Sequence, residues 1–151
     1  MPELPEVETI RRDLDEQLVG LRIESVEIRR DDIVRGPDRE ALERNLPRLY
    51  VLEVERRGKN LLIHVETRQV LLVNLGMTGQ VFVCDEDAEL DEHAHFVAAL
   101  SDGRRLVYRD VRRFGHLEMI DTLDLDVSYT LRNVGVDAMS EQRLDPPIAR
   151  G

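Results

Sequence analysis

The 151-residue sequence contains no tryptophan, one cysteine and one lysine, and its aromatic content is 4%. Cys84 alone cannot form an internal disulfide, nor can it build a zinc site by itself. No apolar run approaches the roughly 20 residues of a membrane span, and the charged N-terminal segment lacks a signal-peptide core. These absences exclude disulfide-rich and membrane-embedded classes, and the 42% hydrophobic content is that of a globular domain, which we expect to be cytoplasmic.

Basic residues are also scarce relative to acidic ones: the sequence has 21 basic and 31 acidic residues, and its formal net charge is −10. Phosphate contacts normally require a basic surface, so this balance opposes nucleic-acid binding unless the charges are segregated. Six of the acids fall within residues 85–92, a run that predicts a solvated loop. Basic residues cluster instead at 56–59 and 104–113. We therefore expect a basic face on an acidic protein.

The first residues place a proline and several carboxylates at the start of a helix. If Met1 is removed, Pro2 becomes a secondary amine, which can attack a sugar aldehyde carbon and give an iminium that stays cationic without a proton. The positive end of the helix dipole disfavours the ammonium form of that amine. Glu3 and Glu6 can share one side of the first turn, where acids also simply complement the dipole. Pro2 is therefore the candidate nucleophile.

Lys59 is the one lysine among twenty arginines. A guanidinium stays protonated and makes a poor proton shuttle, whereas an ammonium can exchange protons when its pKa is lowered. Lys59 thus indicates a position where arginine could not stand in, and it is a second catalytic candidate.

Hydrophobic periodicity predicts an α+β, mainly β fold. The apolar spacing from Val7 to Leu18 predicts a helix capped by Gly20. Residues 22–30 are predicted to form a strand with a bulge between Ile23 and Val26, and residues 38–45 a short helix. Short β-prone runs follow at 50–57, 59–66, 69–75, 80–84, 95–101, 104–109 and 116–120. We predict an N-terminal helix packed on an antiparallel β-sandwich of about eight strands, with a second short helix.

Two of the predicted loops carry residues suited to a disrupted base stack. Met77 lies on a glycine-flanked turn, where it could fill the hole left by an extruded base or equally be a satellite core residue. Arg112 and Phe114 lie on a turn closed by Gly115. Arginine can hydrogen-bond an orphaned base, and an aromatic ring can wedge between base pairs at a kink.

Residues 1–9, Met-Pro-Glu-Leu-Pro-Glu-Val-Glu-Thr, resemble the amino terminus of the formamidopyrimidine-DNA glycosylase family residue for residue. Residues 56–62 resemble its catalytic-lysine motif, and 74–79 and 108–115 resemble its void-filling loops. Leu4 favours this family over the endonuclease VIII branch, which usually has glycine there. The resemblance implies that the proline attacks C1′ of a damaged nucleotide, that the base leaves, and that the abasic sugar is cut by β- and δ-elimination.

The resemblance also implies the roles of individual residues. The implied catalytic residues are Pro2, Glu3, Glu6 and Lys59, and the implied DNA-binding residues are Met77, His93, Arg112 and Phe114. His93 is included because residues 92–95 resemble a His-x-His segment whose first histidine contacts DNA. The chain departs from the family at Asn60, usually an aromatic residue, at Asn74, usually a histidine, and at Arg109 and Val111, which flank an aspartate.

Residues 1–135 are predicted to form the N-terminal catalytic β-sandwich domain, and residues 136–151 a linker, because 131–140 resemble the family's linker without its two prolines. The family's helix–two-turn–helix module and zinc finger have no counterpart here, so we expect neither cofactor nor metal in this chain. The expected partner is damaged double-stranded DNA, bound by a monomer and without a membrane. Whether a separate chain supplies a C-terminal half stays open.

We therefore predict the N-terminal domain of a base-excision-repair DNA glycosylase with abasic-site lyase activity on oxidised purines, weak or inactive alone because each absent phosphate contact lowers affinity. One alternative is a non-catalytic β-sandwich that binds DNA or a partner protein; it applies if Met1 persists, since Pro2 is then an amide nitrogen. Another is an ordinary acidic sandwich with no nucleic-acid role, which requires four accidental motif matches.

Overall fold

The computed structural model describes residues 4–35, 39–112 and 115–125. Contacts divide the chain into one unit spanning Met1–Ile120 and a second spanning Asp121–Gly151. In the second unit, the Asp121 carboxylate accepts a hydrogen bond from the backbone N–H of Leu123 at 2.8 Å. The fold and the site described below belong to the first unit.

In the first unit, the described residues form two α-helices, one short 3-10 helix and nine strands, the last of which ends at Asp121. In chain order these are α1 (Leu4–Leu18), β1 (Ile23–Ile28), the 3-10 helix (Asp31–Ile33), β2 (Val34–Arg35), α2 (Arg39–Asn45), β3 (Val51–Arg57), β4 (Asn60–Val65), β5 (Gln69–Asn74), β6 (Gly79–Cys84), β7 (Ala94–Leu100), β8 (Arg105–Asp110) and β9 (His116–Asp121). No helix in this part of the chain is long and apolar enough to cross a membrane.

The strands form two sheets that pack into a sandwich. One has the order β1-β7-β8-β6 and the other β2-β9-β5-β4-β3. Core side chains come from both, with Phe96 and Tyr108 from the first sheet and Ile63 and Leu71 from the second in one buried cluster. The predicted mainly β fold with an N-terminal helix and a short second helix is confirmed. The two-residue β2, which pairs parallel to β9, was not predicted because two residues show no alternation.

Local signals in the sequence account for the details of several elements. Pro5 lies in the first turn of α1, where its missing N–H costs nothing, and Gly20 has a φ of 92° just after the helix ends. The pairing of β1 with β7 shifts between Ile23 and Ser25, which confirms the predicted bulge. The predicted N-cap of α2, Asp38, lies outside the described residues.

Helix α1 covers the open edge of the five-stranded sheet. Its buried side chains include Val7 and Leu14, which belong to the main core. The Asp15 carboxylate accepts a hydrogen bond from the Val54 N–H at 2.9 Å, and Arg11 donates to the Val54 carbonyl at 3.2 Å. Because β3 is an edge strand, these side chains satisfy backbone groups that the sheet itself leaves unpaired.

The acidic run at residues 85–92 forms a loop held against the four-stranded sheet. Arg105 donates hydrogen bonds to the carbonyl oxygens of Asp85 and Ala88, and Arg109 forms an ion pair with Asp91 at 2.6 Å. The half-buried Cys84 packs with other apolar side chains beneath this loop, so it is a small core residue there.

Candidate functional site

Five of the eight predicted site residues lie in the described part of the chain: Glu6, Lys59, Met77, His93 and Arg112. The other three, Pro2, Glu3 and Phe114, lie outside the described residues. Glu6 is exposed in the first turn of α1, and the other four lie on or beside loops of the two sheets.

Lys59 occupies a two-residue turn between β3 and β4. Arg57 pairs with Asn60 across the hairpin, which leaves Gly58 and Lys59 as the turn. Gly58 has a φ of 61° and Lys59 does not have a positive φ, the pattern of a type II′ turn, in which glycine favours the first position. Lys59 is half-buried, and among the described residues it has no hydrogen-bond or ion-pair partner.

Ion pairs connect this turn to helix α1. Arg56 lies 3.0 Å from the Glu8 carboxylate and also donates to the Gly58 carbonyl at 3.2 Å. Hydrogen bonds from Arg11 and then Arg56 lower the pKa of Glu8 below its usual value. The later residue Asp15 contacts the earlier Val54, so the helix runs antiparallel to β3. The start of α1 therefore lies at the same end of the sheet as Lys59.

A charged cluster stabilises the strands that lead into and out of the turn. Glu55 lies 2.8 Å from His64 Nε2 and 3.1 Å from Arg57 Nε. A carboxylate can only accept, so His64 Nε2 carries the hydrogen. Burial alone would raise the pKa of Glu55, but the His64 hydrogen bond and the Arg57 charge outweigh it and lower the pKa to about 2.

Met77 lies on the tight loop between β5 and β6. The Gly79 N–H donates to the Leu75 carbonyl at 2.8 Å, and a Cβ on Gly79 would overlap the Leu75 backbone. Gly76, with a φ of 60°, makes the turn possible. Met77 is 41% exposed, so it is not a core residue, and the satellite-core alternative is wrong.

Asp110, at the end of β8, joins the loops and was not singled out by sequence reasoning. Its side chain is fully buried. It accepts hydrogen bonds from the Thr78 hydroxyl at 2.6 Å, the Tyr108 hydroxyl at 2.7 Å and the Gly115 N–H at 2.9 Å. Burial and the neighbouring Asp110 raise the pKa of Tyr108, so that hydroxyl stays protonated and donates.

Arg112 is held in place through the same network. Its N–H donates to the Thr78 hydroxyl at 3.1 Å, while its side chain is exposed. A Cβ on Gly115 would overlap the Asn74 carbonyl and the Tyr108 hydroxyl, so only glycine allows this close approach. Arg112 and Gly115, which follow β8 and precede β9, thus pack directly on the loop that carries Met77.

The histidines of the His-x-His segment contact Asp110 in two different ways. The His93 carbonyl accepts a hydrogen bond from the Asp110 N–H at 3.0 Å, and the His93 ring lies 3.6 Å from the Glu92 carboxylate. The buried His95 ring lies 2.8 Å from the Asp110 carbonyl. Of the two histidines, His93 is partly exposed and His95 is buried, and the DNA contact of His93 stays a prediction.

Strand register places all these residues at one end of the sandwich. Asn60, next to Lys59, pairs with Asn74 at the end of β5, and Gly79 at the start of β6 pairs with Asp110. Among the described residues, the side chains of Lys59 and Arg112 have no carboxylate within ion-pair distance. The arrangement leaves two cations, Lys59 and Arg112, and the exposed apolar side chain of Met77 at the end of the sandwich towards which the start of α1 points. It can attract a phosphate backbone and present an apolar group to a base stack.

Comparison with known proteins gives consistent matches. A family model described as the formamidopyrimidine-DNA glycosylase N-terminal domain matches residues 1–117. The chain is 36% identical over 151 residues to the formamidopyrimidine-DNA glycosylase of Desulforamulus reducens, covering 99% of this chain and 53% of that protein. The chain is 39% identical over 145 residues to the Streptococcus pneumoniae protein of the same name, covering 96% of this chain and 52% of that protein.

Solved structures show the same likeness. The Lactococcus lactis protein Fpg in complex with a DNA containing FAPY-dG superimposes with a TM-score of 0.81 and 34% identity, over 87% of this chain and 48% of that chain. Its complex with abasic-site DNA gives the same values. The chain spans about half the length of the curated relatives that it matches.

Proposed function

Because this chain belongs to the formamidopyrimidine-DNA glycosylase family and contains its N-terminal domain, we propose that it provides the catalytic site of a DNA glycosylase and abasic-site lyase acting on oxidised purines in duplex DNA. The observation that carries the proposal is the convergence of the Lys59 turn, the Met77 loop and the Arg112 loop at the end of the sandwich where α1 begins. The named relatives and the solved complexes with FAPY-dG and abasic-site DNA support it.

In the proposed reaction, the free amine of Pro2 forms a bond to C1′ of the damaged nucleotide while the glycosidic bond breaks and the base leaves with a proton. Glu3 and Glu6 act as carboxylates near the sugar. The C1′–O4′ bond then breaks and O4′ takes up a proton, which opens the sugar ring and gives the iminium. Loss of a C2′ proton from this iminium expels the 3′-phosphate, and loss of the C4′ proton then expels the 5′-phosphate. Lys59 assists by holding or delivering a proton at base release or elimination, which an arginine could not do.

The loops have a separate role in the proposal. Extruding a nucleotide leaves a hole in the stack and an unpaired base on the other strand. Met77 fills the hole, Arg112 hydrogen-bonds the orphaned base and Phe114 wedges beside it, while His93 contacts a phosphate. Because Asp110 and Thr78 link the two loops, they would enter the duplex as one rigid group.

The test is borohydride trapping on an abasic-site duplex at high protein concentration and low salt, conditions that favour phosphate contacts. We expect a covalent adduct, mapped by mass spectrometry to Pro2. The matched control carries one extra retained residue before Pro2, which converts the amine to an amide and should abolish the adduct. No adduct from a chain with a confirmed free Pro2 would overturn the proposal, and DNA binding without an adduct would favour a non-catalytic binding domain.

A further inference from the structure

A relay of side-chain amides connects the Lys59 turn to the Met77 loop. Asn60 directly follows Lys59 and pairs in register with Asn74 on the neighbouring strand. The Asn74 amide nitrogen donates to the Asn60 side-chain oxygen at 2.7 Å. The Asn74 side-chain oxygen in turn accepts the backbone N–H of Gly76 at 3.0 Å. The relay thus runs from the residue after Lys59 to the residue before Met77.

The direction of the relay follows from its backbone end. An asparagine side chain has one accepting and one donating end, and the two are interchangeable unless a neighbour distinguishes them. The Gly76 N–H can only donate, so the Asn74 oxygen must face it and the Asn74 nitrogen must face Asn60. Asn60 therefore presents its oxygen to Asn74. Because each donor and acceptor is fixed in this way, the two side-chain amides have one orientation, whereas without the Gly76 N–H they could have two.

We propose that Asn60 and Asn74 are positioning residues that hold the Lys59 turn and the Met77 loop in fixed register, an inference that rests on the proposed function. Both side chains are half-buried, so the bonds between them are partly shielded from competing water. Both are also positions that the motif resemblance marks as departures from the family's usual residues, and in this chain the two side chains contact each other.

The relay predicts more than local capping of the loop. If Asn74 only capped Gly76, changing Asn60 would leave the Met77 loop and the Lys59 chemistry unaffected. If the two amides act as a unit, removing either one lets the turn and the loop move independently. The two substitutions should then be non-additive, because the second removes a bond that the first has already broken.

The experiment compares Asn60→Leu, Asn74→Leu and the double variant, using the rate of borohydride-trapped adduct formation at saturating protein. We expect Asn60→Leu to slow the reaction about fivefold, the usual effect of one lost hydrogen bond. Asn74→Leu removes two hydrogen bonds and should slow it more, and the double variant should be no slower than Asn74→Leu. Asn60→Asp keeps an acceptor for Asn74, so it should retain the rate while its added charge weakens DNA affinity. The matched control is Asn45→Leu, the same change at an exposed position at the end of α2, which should behave as the parent chain.

Multiplied effects in the double variant, or an unchanged rate in Asn60→Leu, would overturn the relay. If the parent chain itself forms no adduct, the proposed function fails, and the relay is tested by hydrogen exchange alone. In that case Asn60→Leu should speed exchange of the Gly76 amide about fivefold while Asn45→Leu leaves it unchanged. Equal Gly76 exchange in both variants would show that Asn74 caps the loop without help from Asn60.

Discussion

Replacing Asp110 by asparagine tests whether one buried carboxylate holds the two loops together. Asparagine has nearly the same shape, but its amide nitrogen cannot accept a hydrogen bond. If the nitrogen takes the place of Oδ2, both the Tyr108 hydroxyl and the Gly115 N–H lose their acceptor. If it takes the place of Oδ1, only the Thr78 hydroxyl does, so asparagine should adopt this second orientation. The remaining bonds are no longer charge-assisted and weaken by roughly half.

The expected cost follows from these contacts. A hydrogen bond to a charged group contributes about 1.5–3 kcal/mol, so one lost bond and two weakened ones sum to about 3–6 kcal/mol. Removing a buried charge returns part of its desolvation cost, which leaves about 2–4 kcal/mol. Domains are typically stable by about 5–15 kcal/mol, so the Asp110→Asn chain should still fold.

Urea unfolding measures this loss as a lower midpoint at an unchanged slope. The control is Asp102→Asn, an exposed carboxylate in the β7–β8 turn that accepts from the Arg104 backbone N–H at 3.0 Å, a bond that asparagine can also make. That control should lose less than about 1 kcal/mol. In Asp110→Asn, amide exchange at Gly115 and Arg112 should accelerate together. Equal unfolding midpoints for the two variants would refute the idea that Asp110 organises the loops.

Three further outcomes are expected. The pKa of Glu55 is lowered from 4.5 to about 2, so the stabilisation that its carboxylate provides is complete above about pH 4.5 and disappears as the pH falls towards 2. Between about pH 6 and 3 the parent chain should lose about 2 kcal/mol of unfolding free energy that Glu55→Gln does not lose. Unfolding free energies of the two chains that fall in parallel over this range would contradict this. Gly79→Ala forces a Cβ against the Leu75 backbone and should weaken DNA binding as well as stability by about 1–3 kcal/mol, whereas Gly20→Ala, with open space around its Cβ, should lower thermal stability alone. Lys59→Arg keeps the positive charge, so DNA affinity should be retained while single-turnover strand cleavage slows by about 100-fold or more; an unchanged rate would remove Lys59 from the proton transfers.

Much of this fold could be predicted from the sequence because most elements are locally encoded. A short run of consecutive β-prone apolar residues located β5 to within one residue, as Gln69–Asn74 against a predicted 69–75. The bulge near Ile23 was predicted because it interrupts the alternation of apolar residues in β1. The short strand β2 was missed because its pairing with β9 joins residues more than 80 positions apart, as in Val34 with Leu117, and leaves no local pattern.

The candidate site was predictable as a set of residues but not as a network. Motif resemblance selected Lys59 and Met77, yet it gave no sign that Arg56 ties the lysine turn to α1, because that contact depends on how helix and strand pack. Asp110 did leave a signal. It has the same parity along β8 as the buried Leu106 and Tyr108, which places a carboxylate on the inward face of a core strand. A charged residue at such a position requires hydrogen-bond partners, and in the structure these include the Thr78 hydroxyl and the Gly115 N–H, one from each loop.

Helix α1 combines two tasks, since the segment that leads to the proposed nucleophile also seals the border of the five-stranded sheet through Arg11 and Asp15. Proteolytic removal of residues up to 15 would therefore do more than take away the proposed nucleophile. The exposed backbone groups of β3 would pair with strands from other molecules, and the remaining chain would aggregate. Loss of the helix should then be seen first as a loss of protein from solution.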